Sequence, residues 1–183
     1  MSEITHAPLL ILGAGPGGYA AAFLAADLGL DPVLVAPEEN PGGVCLHVGC
    51  IPSKALLHVA ALLNEAREAQ HWGLAFSEPR LDLNRLRAWK DEVVTGLTSG
   101  LGDLRRKRGV RHLRGSGRLV APGRMRVELV DGGQVELGFD RLLLATGSRP
   151  VMLPGLPDSP RIWDSSGALE LPRIPRDSSL PAW

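Results

Sequence analysis

Two cysteines, Cys45 and Cys50, stand with four residues between them in the stretch Gly42-Gly43-Val44-Cys45-Leu46-His47-Val48-Gly49-Cys50-Ile51-Pro52-Ser53-Lys54, and the chain has no others. Near a helix start, that spacing can bring two Cα atoms into the disulfide range of roughly 4.4 to 6.8 Å. A helix N-terminus also favours a thiolate, the species that performs thiol–disulfide exchange. Three uses compete for such a pair: redox chemistry, a metal site, and two inert buried thiols. Zinc is disfavoured because no second Cys/His pair completes four ligands, and His47 and His58 read as a loop and a helix-surface residue. Inert burial is disfavoured by the glycine-flanked turn. Redox use is the reading the spacing favours, and no metal is expected.

The second set with chemical content is Gly13-x-Gly15-x-x-Gly18. Gly13 permits a tight turn, Gly15 lets a pyrophosphate approach the backbone, and Gly18 lets the following helix pack close. The helix start then offers free N–H groups to the phosphates. The motif carries weight only between a strand and a helix, which is where it lies. Leu9–Leu12 is an unbroken apolar run suited to a parallel strand covered on both faces. Tyr19 to Leu28 is alanine-rich and helical in pattern, Gly29 stops it, and Val33–Val35 supplies a second strand. The residue after that strand usually binds the adenosine ribose through a carboxylate. Here it is Ala36, so a weaker grip is expected, with Glu38 able to substitute only if the loop is recast.

The elements that must hold these groups follow along the chain. Cys45 to about Trp72 reads as mostly helical, with a bend or fresh start at Pro52. Asp82 to about Arg108 reads as another helix, less secure in its second half because of Gly96, Gly100 and Gly102. Short strands are expected at 110–113, 117–120, 125–130 and 134–137, and one more at 141–145. No element is expected beyond Arg149. The result is an α/β fold: residues 1–150 form a Rossmann-like dinucleotide-binding domain with a parallel sheet and a β-rich insertion at about 110–140. Residues 151–183 read as a linker or tail.

Composition limits the alternatives. In 183 residues, 20 basic and 20 acidic side chains cancel, which gives no global reason to expect nucleic acid or an anionic membrane as partner. The run Arg105-Arg106-Lys107-Arg108 reads as a solvated helix end complementing the dipole. No N-terminal signal pattern is evident and no segment is expected to reach membrane-spanning length, so a cytoplasmic location is expected.

With GxGPGG upstream and Ala145-Thr146-Gly147-Ser148-Arg149-Pro150 downstream, the cysteine stretch resembles the pyridine nucleotide–disulfide oxidoreductase family. Within it, Cys45 to Leu57 is most similar to the dihydrolipoamide dehydrogenases, and the likeness runs from about Leu9 to about Leu171. The resemblance implies bound FAD, with Gly13, Gly15 and Gly18 at the pyrophosphate. Glu38, Gly43, Gly117, Thr146 and Gly147 would add contacts, largely through backbone for the last three. Cys45 would exchange with dihydrolipoyl groups, Cys50 would face the flavin, and Lys54 would approach its ring. The implied reaction is oxidation of a dithiol with NAD⁺ as co-substrate. A lipoyl domain of a 2-oxo acid dehydrogenase-type complex would be the partner, and the full-length protein a homodimer.

The same resemblance implies parts that these residues do not contain. No second glycine motif follows Gly147, and the five histidines, His6, His47, His58, His71 and His112, match no acid–base motif. Residues 177–183 depart from the family, so a frameshift, premature stop or artificial end near Pro175 is expected. A flavin domain truncated there is expected to leave sheet positions unfilled and apolar surface uncovered, and so to be marginally soluble. The rival readings are a flavin-binding remnant without turnover and a related reductase of another disulfide or a metal ion.

Overall fold

The computed structural model describes residues 5–175. Five strands form one sheet that closes on itself in the order β1-β2-β3-β4-β5. The first three are β1 (His6–Leu12), β2 (Pro32–Ala36) and β3 (Arg111–Ala121), and the ring is completed by β4 (Arg124–Leu129) and β5 (Gln134–Leu144). β1 lies between β2 and β5, parallel to both, with Leu12 opposite Val35 on one side and Leu144 on the other. β2 continues in parallel to the first part of β3, and β4 joins the far parts of β3 and β5 in antiparallel register.

The sheet position differs from expectation. The strands expected at 110–113 and 117–120 are one strand, β3, and those at 134–137 and 141–145 are one strand, β5. β3 passes midway from the parallel layer to β4, and β5 from β4 to the parallel layer, so the chain runs on where a break was expected. The closed order does not fill every position: Arg111–Arg114 of β3 pair with β2 alone and Phe139–Leu144 of β5 with β1 alone, so among the described residues both edges of the parallel layer stay open, in line with the expected unfilled sheet positions. Apolar side chains also remain uncovered at the end of β5 and after it, with Leu144 63% and Val151 83% exposed.

Two cores result. Inside the ring, Ala7, Leu10, Val33 and Val35 meet Met125, Val127 and Leu137. On the outer face of the parallel layer, Ile11, Leu34, Ala36 and Val110 pack with Ala14 and Ala22. β2 is buried at all five positions, which is why its apolar run does not alternate. The outer core receives α1 (Pro16–Asp27), whose alanines let it approach the sheet, with Pro16 in its first turn and Leu28 at its end.

Two helices, α2 (Gly43–Val48) and α3 (Cys50–Glu68), follow β2, and a single 3₁₀ turn, Ala69–Trp72, extends α3. The break falls at Gly49 rather than Pro52, which sits buried in the first turn of α3, where its missing N–H is harmless. The whole stretch Gly43–Trp72 is long and apolar enough to cross a membrane by length and composition alone, contrary to the expectation that no segment reaches that length. Its alanines, leucines and valines between Ile51 and Leu63 produce that result.

α4 (Leu83–Lys107) starts at Asp82, whose carboxylate accepts from the Arg85 N–H at 3.0 Å. It runs unbroken through its three glycines. Gly102 has a packing reason: a Cβ there would overlap the Asn40 side chain. A short helix, α5 (Ser165–Glu170), lies where no element was expected. Asp164 caps it by accepting from the Gly167 N–H at 2.7 Å. Lys90 of α4 donates to the Leu169 carbonyl at 3.1 Å, fixing its end. The expected departure from the family over residues 177–183 lies outside the described residues.

Candidate functional site

A cleft of about 630 Å³ opens at the carboxyl ends of the parallel strands, where α/β sheets bind ligands. Three short backbone bonds weld its floor. The Gly13 N–H donates to the Val35 carbonyl, Ala145 to Leu12, and Gly42 to Ala14, each at 2.8 Å. The turn from β1 to α1 is therefore locked to both neighbouring strands.

The three motif glycines have three separate reasons. Gly13 has φ +103°, and a Cβ on it would overlap the Ala145 carbonyl. Gly18 does not line the cleft: a Cβ there would overlap the Gly13 carbonyl oxygen, so it permits close helix packing. Gly15 has ordinary φ −70°, and a Cβ there would meet only Gly43 Cα, at 4.0 Å. Protein packing does not demand glycine at Gly15. The open cleft in front of it supplies the reason, because a ligand can come against the backbone at the start of α1. Gly43, with φ +56°, abuts the same turn: its Cβ would lie 2.6 Å from Gly15 Cα.

Cys45 in α2 and Cys50 at the start of α3 both line this cleft. The hinge between the helices brings them together. A Cβ on Gly49 would lie 2.7 Å from the Val44 carbonyl oxygen and 3.3 Å from Cys45 Cα. The chain thus folds back on Val44 and Cys45 just before Cys50. Both thiols are free, Cys45 half-buried and Cys50 exposed. The hydrogen bond with Cys50 and then burial push the Cys45 thiol up from its ordinary value, with Lys54 opposing weakly. The two thiols therefore stand near each other on one wall of the cleft.

Of the expected site residues, Gly13, Gly15, Glu38, Gly43, Cys45, Cys50, Gly117, Thr146 and Gly147 line one cleft, whereas Gly18 and Lys54 do not. Lys54 is exposed on α3, one turn beyond Cys50. Sequence reasoning missed Ser116 and Ser148, which with Thr146 are the hydroxyl-bearing side chains of the lining. Both sit beside assigned glycines, which was the available signal.

The cleft's parts can be compared with an adenine dinucleotide. The backbone at Gly13–Gly15, with no Cβ on either glycine and Ala14 buried in the outer core, fits a pyrophosphate. At the ribose end Ala36 is buried and offers no side-chain acceptor, and Glu38 is the only carboxylate in the lining. On the outer face beneath Ala36 lies His112, opposite Leu34 in register. Burial, then the Arg105 charge, hold its imidazole below the ordinary histidine value, against the Ala36 carbonyl and Glu38. Burial likewise lowers the Arg105 guanidinium, which donates through Nη1 to the Val110 carbonyl at 3.2 Å.

Comparison with known proteins agrees with this geometry. The sequence profile described as pyridine nucleotide-disulphide oxidoreductase matches residues 7–179. A dihydrolipoyl dehydrogenase of Vibrio cholerae serotype O1 is 47% identical over 176 residues, covering 96% of this chain and 37% of the relative. One from Haemophilus influenzae is 46% identical over 177 residues, with coverages of 96% and 37%. A leghemoglobin reductase of Vigna unguiculata is 40% identical over 171 residues, covering 92% of the chain and 32% of the relative. The chain thus spans only about a third of the length of these curated relatives.

Proposed function

This chain belongs to the pyridine nucleotide-disulphide oxidoreductase family, and on that premise we propose that it carries the flavin cleft and redox dithiol of a dihydrolipoyl-dehydrogenase-type enzyme. The observation that carries the proposal is the meeting of Cys45, Cys50 and the Gly13–Gly15 turn in one cleft. The family uses FAD and NAD, and in this reading FAD is the ligand of the cleft. Gly13, Gly15 and Gly43 hold the pyrophosphate, Glu38 takes the ribose, and Gly117, Thr146 and Gly147 close the remaining wall. Gly18 acts through packing. Lys54 contributes charge from the adjoining helix turn.

The chemistry of the chain's own residues is dithiol exchange. With the pair oxidised, a substrate thiolate attacks Cys45 Sγ and expels Cys50 Sγ as thiolate, forming a mixed disulfide. The second substrate thiol, losing its proton, attacks that mixed disulfide and releases Cys45. The substrate leaves as a disulfide, and the protein holds two reduced cysteines. Bound flavin supplies a two-electron acceptor for that pair. The substrate class is a dihydrolipoyl group, presented by a lipoyl domain of a 2-oxo acid dehydrogenase-type complex, in a cytoplasmic setting and a homodimeric full-length protein.

For these 183 residues alone a second reading has its own support: flavin binding without turnover. No second glycine motif follows Gly147 in the sequence, and none of the five histidines lines the cleft. The acid–base and NAD-binding parts of the full reaction are therefore not supplied by this stretch. Purified chain should take up FAD with its visible spectrum and show no NADH formation from dihydrolipoamide. Absence of any bound flavin would overturn the cleft assignment.

A further inference from the structure

Ala36 ends β2 at the position whose carboxylate usually takes the ribose diol, and its buried methyl accepts nothing from a hydroxyl. Two residues beyond it, Glu38 reaches the cleft from the loop. On β3, the strand beside β2, Arg114 is the register partner of Ala36, and two residues beyond that stands Ser116, also in the lining. The neighbours of Ser116 fix where it points. A Cβ on Gly115 would meet Val127, and one on Gly117 would meet Leu12, Val35 and Met125, all of the core inside the ring. Side chains alternate along a strand, so Ser116 faces away from that core, and it is exposed. Its register partner on β4, Glu128, is exposed too but does not line the cleft. The other hydroxyls of the lining, on Thr146 and Ser148, follow β5, which lies across β1 from β2. Ser116 is therefore the hydroxyl of the lining on the ribose side.

Resting on the reading of this cleft as a flavin nucleotide site, we propose that Ser116 is a specificity-determining residue whose hydroxyl shares the adenosine ribose diol with Glu38. Each ribose hydroxyl can donate one hydrogen bond and accept others, whereas a carboxylate only accepts. A serine hydroxyl does both, so it can donate to a ribose oxygen that Glu38 cannot serve as donor. A strand residue and a loop residue thus divide what one carboxylate at position 36 would hold alone. The contact from Ser116 is neutral and that from Glu38 is charge-assisted, so Ser116 is the weaker of the two. Its anchorage on β3 gives it the more fixed position, since Glu38 lies past the end of β2.

Fluorescence titration of the full chain with FAD, and with FAD lacking either the 2′- or the 3′-hydroxyl of its adenosine ribose, tests this. One neutral hydrogen bond is worth about threefold to tenfold in affinity. Ser116→Ala should weaken FAD binding by that factor while leaving one of the two deoxy forms unaffected, because that ligand has already lost the partner of Ser116. Ser116→Thr should keep the wild-type pattern. Adding Glu38→Gln to Ser116→Ala should remove the discrimination that remains. Circular dichroism checks that each variant folds. A Ser116→Ala chain that weakens all three ligands alike, or none of them, overturns the inference, since a merely structural role would not distinguish one ribose hydroxyl. FAD binding by the wild type without that distinction overturns this inference alone. Failure of the wild type to bind any of the three overturns the cleft reading with it.

Discussion

Gly15→Ala and Gly18→Ala should fail in opposite ways, although both remove a glycine from one motif. At Gly15 the backbone has φ −70°, which alanine adopts freely, and the new methyl would sit 4.0 Å from Gly43 Cα in ordinary contact. Losing unfolded-chain entropy favours the variant, while alanine at a helix N-cap opposes it. The net change in stability should stay within about 1 kcal/mol, or roughly 2–4 °C in the midpoint for a domain of this size. The methyl nonetheless occupies the face that a pyrophosphate must approach. Losing two charge-assisted N–H contacts removes about 3 kcal/mol or more, so FAD affinity should fall by about a hundredfold or more. At Gly18 the methyl would overlap the Gly13 carbonyl, with Gly13 C at 2.9 Å. Neither partner is a flexible side chain, and the fold itself should lose about 3 kcal/mol or more. Thermal denaturation followed by circular dichroism reads the first quantity, and quenching of flavin fluorescence reads the second. A Gly15→Ala protein that binds FAD like the wild type would refute the placement of the pyrophosphate at this turn.

Three further outcomes follow from other parts of the molecule. Gly49→Ala puts a Cβ 2.7 Å from the Val44 carbonyl oxygen, so it should hinder closure of the Cys45–Cys50 disulfide. Thiol titration after mild oxidation should find both thiols still reactive in the variant and neither in the wild type. His112 is held below its ordinary value by burial and Arg105, so its stabilising contribution is present above the unfolded histidine range near roughly 6.5 and is lost as pH falls through the folded value. Denaturation midpoints should therefore drop on acidification, and His112→Gln should flatten that part of the profile; an unchanged slope would count against the burial of a neutral imidazole. Lys90→Met removes the cation donating to the Leu169 carbonyl at 3.1 Å and should release α5, raising hydrogen exchange across Ser165–Glu170 while leaving the strands protected.

The β1–α1–β2 unit was legible because each local signal there agrees with the fold: an unbroken apolar run, a glycine turn, alanines, and a second run. β3 was not legible as one strand, because Gly115 and Gly117 look like turn residues. They are strand residues where the neighbouring strand comes close; a Cβ on Gly115 would overlap the Glu128 carbonyl oxygen, and one on Gly117 would lie 2.6 Å from Met125 Sδ. The same holds at Gly138, where β5 passes from β4 to β1 and pairs with both Arg124 and His6. The periodicity of one strand does not reveal a change of partner. α5 escaped because six residues give too little pattern, though Asp164 followed by Gly167 was a readable cap. In the site, the cysteine pair was legible from spacing, but its hinge was misplaced. Proline at a helix start signals the start, and Gly49 before it makes the turn.

The closed ring also constrains the order in which this protein can form as it is synthesised. Leu12 finds its partner in Leu144, and the cleft draws its walls from residues as far apart as Leu12 and Ser148. At about 5–20 residues per second, β1 must wait several seconds on the ribosome before its second neighbour exists. Until then its Leu9–Leu12 run is paired on one side at most, in a nascent chain with long-range contacts still to make and slow closure to expect. The cofactor cannot assist that wait, since the glycine turn reaches its final shape only when Ala145 arrives to bond Leu12. Ligand capture is therefore a late event, and the interval before it is when the chain most needs a chaperone.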